Sequence, residues 1–230
     1  MQSDVLFENE ACVVINKRCG EDSERPEGFS GLRPVHRLDK PASGCLLLAK
    51  TVESAKNLSA QFPLTQFQYP DFSSGPAGNV QKRYWAVVEK PEKVNLINGE
   101  WKEAVHWLGF SQKQNKSFAH NAEKPGAKKA VLRFRMIGSG ENYLFLEIDL
   151  VTGRHHQIRA QLAALGIHIK GDLKYGARRS EKSGGIRLHA RSLGFPNPLD
   201  KDDYVIVEAP VPIKDALWEA FMSLINSSDL

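Results

Sequence analysis

Apolar residues along the chain fall into short runs, some with strand spacing and some with helix spacing, divided by polar stretches rich in turn formers. The opening predicts two strands, Val5 to Glu8 and Cys12 to Asn16, the second through its β-branched run Val13-Val14-Ile15. Lys17 to Leu32 is polar, contains glycine and has no period. Past the turn-prone Pro41 to Gly44, Cys45 to Ala49 is continuously apolar, as a strand covered on both faces is. Val52, Ala55, Leu58 and Phe62 then share one stripe of an amphipathic helix, and Thr51 stands where a cap belongs. Residues 63–79 break the pattern with prolines, glycines and scattered aromatics (Phe67, Tyr69, Phe72), so a long loop or insertion is expected there.

From Val80 to Glu89 a strand returns, with Lys82, Tyr84, Ala86 and Val88 on one face and Arg83, Trp85 and Val87 on the other. After a polar middle section, strands are predicted from Ala130 to Ile137 and from Tyr143 to Leu150. Thr152-Gly153-Arg154 then turns the chain into a helix with Ile158, Leu162 and Leu165 as its buried stripe and Gly166 as its terminator. Strands near Leu188 to Phe195 and Tyr204 to Glu208, and a helix from about Lys214 to Ile225, finish the chain. Strands and helices interleave without a regular βαβ rhythm and without a linker between two cores. The expectation is a single domain, residues 1–230, of the α+β class: a mixed, largely antiparallel central sheet with flanking helices.

Composition narrows the functional classes. With 230 residues and 41% hydrophobic content, the chain can enclose a sizeable core. No apolar stretch approaches the roughly 20 residues that span a bilayer, so neither secretion nor membrane insertion is expected. Cys12, Cys19 and Cys45 form no close pair and are odd in number, which suits a reducing cytoplasm better than a disulfide framework. The net charge is only +4 but is unevenly distributed. Arg154, Arg159, Lys170, Lys174, Arg178, Arg179, Lys182, Arg187 and Arg191 stand against Asp172 and Glu181 alone. That segment is the candidate nucleic-acid face, with a solvated basic loop as the plainer reading.

Three stretches concentrate chemistry. His36-Arg37-Leu38-Asp39-Lys40-Pro41-Ala42-Ser43-Gly44 places an imidazole, a guanidinium, a carboxylate and an ammonium on a turn before a buried strand. Taken locally, Asp39 also reads as a turn residue and His36 as a half-buried structural imidazole. Gly153-Arg154-His155-His156-Gln157-Ile158-Arg159 sits at a strand-to-helix junction, where unpaired backbone N–H groups and added cations favour phosphate. Adjacent histidines tempt a metal reading, but neighbouring residues point apart and no Cys or carboxylate spacing completes a site, so no metal is expected. In Lys82-Arg83-Tyr84-Trp85-Ala86, Tyr84 stands between Lys82 and the small Ala86 on one strand face, which leaves room for a planar ligand; ordinary packing is the commoner role.

Together and in this order, these stretches resemble the RluA-type pseudouridine synthases, whose patterns are an HRLDxxTSG loop, a KxYxA strand and a GRxHQIR helix start. The likeness extends to Phe7–Lys17, Cys45–Thr51, Gly171-Asp172, Tyr175-Gly176 and Leu188-His189-Ala190, and so covers nearly the whole chain. It implies a cofactor-free isomerase that acts on uridine in ribosomal or transfer RNA. Asp39 is then the essential carboxylate, Tyr84 lies against the uracil, and Arg159 pairs with Asp39. His36, Arg37, Lys82, Arg154, His156 and Gln157 are expected to bind the RNA, Arg37 by intruding beside a flipped nucleotide. A uridine in folded RNA must leave its stack before its glycosidic bond is reachable.

The chain departs from the pattern at Ala42, where Thr is usual, and at His155 and Gln161, where relatives commonly carry Thr and His. Lys17 to Leu32 lacks the usual Pro-Ala-Gly type sequence. These departures imply an altered substrate rather than a lost activity, and the small N-terminal RNA-binding module of many relatives has no counterpart among these residues. The rival reading is a non-catalytic RNA-binding protein or RNA chaperone, for which Asp39→Ala is harmless. A third is a metal-free hydrolase using His36 and Asp39 on a small nucleotide, for which the broad basic surface makes the weakest case.

Overall fold

The structure, a computed structural model, describes residues 3–62, 80–182, 184–200, 202–212 and 215–228. The loop expected over 63–79 lies outside them. Among the described residues eleven strands join in one sheet: β1 (Asp4–Glu8), β2 (Cys12–Lys17), β3 (Arg33–Pro34), β4 (Ser43–Ala49), β5 (Gln81–Glu89), β6 (Lys102–Ser111), β7 (Lys116–His120), β8 (Lys128–Ser139), β9 (Tyr143–Leu150), β10 (Leu188–Pro196) and β11 (Tyr204–Glu208). Helices α1 (Val52–Ser59), α2 (Gln157–Ala164) and α3 (Ala216–Ser228) flank it. The main path runs β1-β2-β4-β10-β5-β9-β8-β6-β7, with β3 against β4 and β11 against β10. This is the mixed, largely antiparallel α+β sheet expected.

The period-2 alternation of each strand divides the apolar residues between two faces. Leu46, Leu48, Tyr84, Ala86, Leu146, Ile148 and Leu188 pack with Ile158 and Leu162 of α2 on one face. Cys45, Leu47 and Ala49 pack with Leu58 of α1 on the other, where Trp85, Val87 and Phe145 also meet Trp218 and Phe221 of α3. The continuous run in β4 is thus buried on both sides, every residue from Ser43 to Ala49 included.

Among the strand pairs, β4 and β10 run parallel, with Ser43 opposite His189 and Gly44 opposite Ala190. Gly44 has φ +111°, and a Cβ there would lie 2.2 Å from the Ala190 carbonyl oxygen, so close approach of the two backbones requires glycine. Ser43 Oγ lies 2.9 Å from His189 Nδ1, while His189 Nε2 lies 3.1 Å from the Ala209 carbonyl. The carbonyl only accepts, so Nε2 carries the proton and Nδ1 accepts from Ser43. This neutral clasp ends the loop that carries Asp39.

Two sequence expectations need correction. The polar middle section folds into the β6–β7 hairpin, missed because Leu108 is the one large apolar residue at its buried positions, the others being Ala104, His106 and Ser117. Gln161 of α2 holds that hairpin, its Nε2 donating to the carbonyls of Ala104 (3.0 Å) and Ala130 (3.3 Å). On α1, Thr51 caps as expected in a reciprocal box with Ser54, but Val52 is exposed and Ser54 takes a buried position beside Leu58. Val52 stands at the first helical position, before the helix turns onto the sheet.

Candidate active site

A cleft of about 420 Å³ opens where the Asp39 loop, β5 and the turn after β9 converge. Its walls include His36, Arg37, Asp39, Phe62, Lys82, Tyr84, Thr152, Arg154, His155 and Gln157. The volume falls in the range of small-ligand sites, roughly 300–1,000 Å³.

Asp39 sits on a turn tied from several sides. Its carbonyl accepts from Ala42 N (2.9 Å), and the Lys40 carbonyl accepts from Gly20 N (2.8 Å). Ser23 Oγ donates to the Leu38 carbonyl (2.8 Å) and accepts from Leu38 N (3.0 Å). Lys17, fully buried, directs Nζ at the carbonyls of Arg18 (2.8 Å), Glu21 (3.0 Å) and Lys40 (3.3 Å). Burial pulls its pKa down to about 8 against the nearby acidic groups that favour its charge. The aperiodic 17–32 stretch is therefore the brace of the Asp39 loop. Carbonyl-anchored backing of this kind leaves no apolar period for a sequence reading to find.

Arg159 reaches Asp39 from α2, its Nη1 3.2 Å from Asp39 Oδ2. It is itself clamped by the buried Asp172, through Nε at 2.6 Å and Nη2 at 2.8 Å. Burial alone would lower the guanidinium pKa, but the hydrogen bonds and charge of Asp172, and then Asp39, raise it. Arg159 thus stays charged and cannot swing away, and it presents a fixed cation to Asp39. Tyr175 covers the guanidinium, its ring centroid 4.8 Å from Cζ. The roles of Asp172 and Tyr175 were not assigned from sequence; the Gly171-Asp172 and Tyr175-Gly176 likeness was the signal that marked them.

Tyr84 is buried and lines the cleft, and burial followed by the charge of Asp39 keeps its hydroxyl protonated. Lys82, on the same strand face, is also buried; desolvation and then the charge of Arg154 pull its pKa down to about 8. Its Nζ stands 5.6 Å from the Phe62 ring centroid. Arg37 lies at the exposed rim, 3.7 Å from Glu24. Arg154 also reaches the rim, its Nε donating to the Lys129 carbonyl (3.1 Å).

The remaining expected binding residues act differently from a cationic lining. His36 Nε2 accepts from Leu47 N (3.1 Å) and its ring stacks on Phe62 at 5.3 Å. Burial and the charge of Lys82 keep that imidazole neutral, so it serves as a wall. Gln157 is buried and its amide is committed to the turn: Oε1 accepts from Thr152 Oγ1 (2.6 Å) and Arg154 N (2.9 Å), and Nε2 donates to the Val131 carbonyl (3.1 Å). His156 precedes the helix in the left-handed region, φ +50°, with Nε2 4.0 Å from Asp39 Oδ1 and Nδ1 3.0 Å from the Tyr175 hydroxyl. Burial and then Arg159 push its pKa down to about 3, so it meets Asp39 as a neutral ring. No group of three or more His, Cys, Asp or Glu among the described residues is arranged to hold a metal ion.

The basic segment ending at Arg191 is dispersed by folding. Lys170 and Arg187 share Glu181, Arg187 also pairs with Asp215, Arg178 with Glu92, and Arg191 with Glu208. Arg178 N is bonded to Glu89 at the far end of β5 from Lys82, about 23 Å along the strand. Lys174, Arg178, Arg179 and Lys182 of that segment are exposed, and a second exposed group, Lys113, Lys124, Lys128 and Lys129, lies on and after the β6–β7 hairpin, with Lys116 half-buried.

A carboxylate on a braced turn, an arginine clamped beside it and a buried tyrosine thus meet at one cleft, and the likeness of the chain to known proteins bears on what such a cleft does. Residues 12–164 match the family described as RNA pseudouridylate synthase, and the chain belongs to that family. The chain is similar to the uncharacterized RNA pseudouridine synthase YlyB of Bacillus subtilis strain 168, at 29% identity over 92% of this chain and 70% of that one. It is similar to ribosomal large subunit pseudouridine synthase C of Vibrio parahaemolyticus at 26% identity, over 91% of this chain and 66% of the relative. Human RNA Pseudouridylate Synthase Domain Containing 1 has the same fold, with a TM-score of 0.71 at 20% identity over 97% of this chain and 95% of that one. No helix among the described residues is long and apolar enough to cross a membrane.

Proposed function

We propose that this chain, as one catalytic domain, converts uridine to pseudouridine in ribosomal or transfer RNA in the cytoplasm, with Asp39 as the catalytic carboxylate and without a cofactor. The observation that carries this reading is the chain of contacts from Asp172 through Arg159 to Asp39 at the wall of a cleft that also exposes Tyr84. An ionised carboxylate held beside an extruded base can act as nucleophile or base. Tyr84 offers its ring to the uracil, and Lys82, Arg154 and Arg37 run from the buried to the exposed part of the cleft along the path of the backbone phosphates. His36, His156 and Gln157 shape and hold the site. Ribosomal RNA is favoured because the Vibrio relative is named for the large ribosomal subunit.

The test is to incubate the protein with unmodified ribosomal and transfer RNA and map pseudouridine at single-nucleotide resolution beside Asp39→Asn. New pseudouridine with wild type alone supports the reading. No pseudouridine with either protein, despite measurable RNA binding, points to a binding protein instead, and equal formation by both removes Asp39 from the reaction.

A further inference from the structure

A ladder of rings leads outwards from Asp39. His156 stacks on His155 with centroids 3.8 Å apart and planes at 27°, and His155 meets Phe110 edge-on at 4.4 Å and 63°. Phe110 lies on β6 with half of its surface exposed, 50%. His155 is at once a rung of this ladder and a wall of the cleft. Ser117 on β7 fixes it from behind: Oγ donates to the His155 carbonyl (2.7 Å) and lies 3.0 Å from His155 Nδ1. The hydroxyl has one proton, already directed at the carbonyl, so the ring bond requires Nδ1–H. Burial further favours the neutral imidazole. His155 is also a position where this chain departs from the motif it otherwise matches.

We propose that Phe110 and His155 form a stacking subsite for the nucleotide adjoining the uridine held in the cleft. The inference rests on the RNA reading above and adds to it a second base contact outside the catalytic groups. Rigid aromatic faces beside a basic surface bind single-stranded nucleotides of any sequence. The rings here are continuous with the cleft, and the exposed Lys128, paired with Leu108, lies on the sheet face of Phe110 for a flanking phosphate. Phe118 is an internal control: it is 38% exposed on the same hairpin, but it pairs with Gly109 while Phe110 pairs with Ser117, so the two rings lie on opposite faces.

The experiment titrates the full chain into a stem–loop RNA with one loop uridine flanked by 2-aminopurine, whose emission falls when it stacks. Wild type is expected to quench it. Phe110→Ala and the bulkier Phe110→Leu are expected to lose the quench and bind about 5- to 10-fold more weakly, while Phe118→Ala behaves as wild type. Undiminished quenching in both Phe110 variants, or an equal loss in Phe118→Ala, overturns the subsite. If wild type neither binds this RNA nor forms pseudouridine in ribosomal or transfer RNA, the RNA-enzyme reading fails and the subsite with it.

Discussion

Residues 154–191 and residues 113–129 are both rich in positive charge, and folding commits more of it to carboxylate partners in the first than in the second. In the first region five of the nine cations sit in ion pairs: Arg159 with Asp39 and Asp172, Lys170 and Arg187 with Glu181, Arg178 with Glu92, Arg191 with Glu208. In the second, five lysines stand against Glu123 on a hairpin and the turn that follows, and four of them are exposed. A buried cation organises its carboxylates; an exposed one is available to a polyanion. Charge density along a chain does not distinguish these roles, because the partners of the first set come from distant strands.

The sharpest break in the comparison is Arg159→Ala. It leaves Asp172, 2% exposed, without its guanidinium, so a loss of about 3–5 kcal/mol in urea unfolding is expected, with pseudouridine formation abolished. An unchanged urea midpoint would mean that the clamp is not structural.

The Glu181 cluster comes next. Burial would raise its carboxyl pKa, but hydrogen bonds from Arg187 and Lys170 bring it down to about 2 from an ordinary 4.5. A depressed folded pKa stabilises the protein above the unfolded value, and that contribution is lost as pH falls from about 5 towards 2. Glu181→Gln is expected to flatten this limb of the stability profile. A mutant profile parallel to wild type would refute the assignment.

Smaller changes are expected on the hairpin. Lys113→Glu with Lys128→Glu should leave thermal unfolding within about 0.5 kcal/mol of wild type. RNA binding should weaken, and the slope of log affinity against log salt should fall by about 0.9 for each phosphate contact removed, or about 0.7 in single strands. Arg178→Glu should do least. Its side chain is 70% exposed and its partner Glu92 75%, so the pair contributes little, and a salt slope equal to wild type is expected. A steeper effect at Arg178 than at the lysines would reverse the comparison.

The sheet was largely legible because each strand writes its two faces as alternation, as in Tyr84, Ala86 and Val88 against Trp85 and Val87. The Asp39 loop, Tyr84 and Arg159 were legible as motif residues. The β6–β7 hairpin was not, since its buried face sets a single large apolar residue, Leu108, among Ala104, His106 and Ser117 and depends on Gln161 from another element. Nor was the brace at Lys17 and Ser23, whose bonds go to backbone carbonyls that carry no side-chain signature.

By itself, then, the sequence determined the α+β sheet, the family and the residue types brought to the cleft, because alternation and short motifs are local properties of a chain. Tertiary structure alone decided which cations are buried and paired, that Asp172 clamps Arg159, that His36 and His156 are neutral, and that Phe110 meets His155. Each of these depends on burial or on a partner many residues away, and desolvation and Coulomb energy are set by surroundings in space rather than by neighbours in sequence.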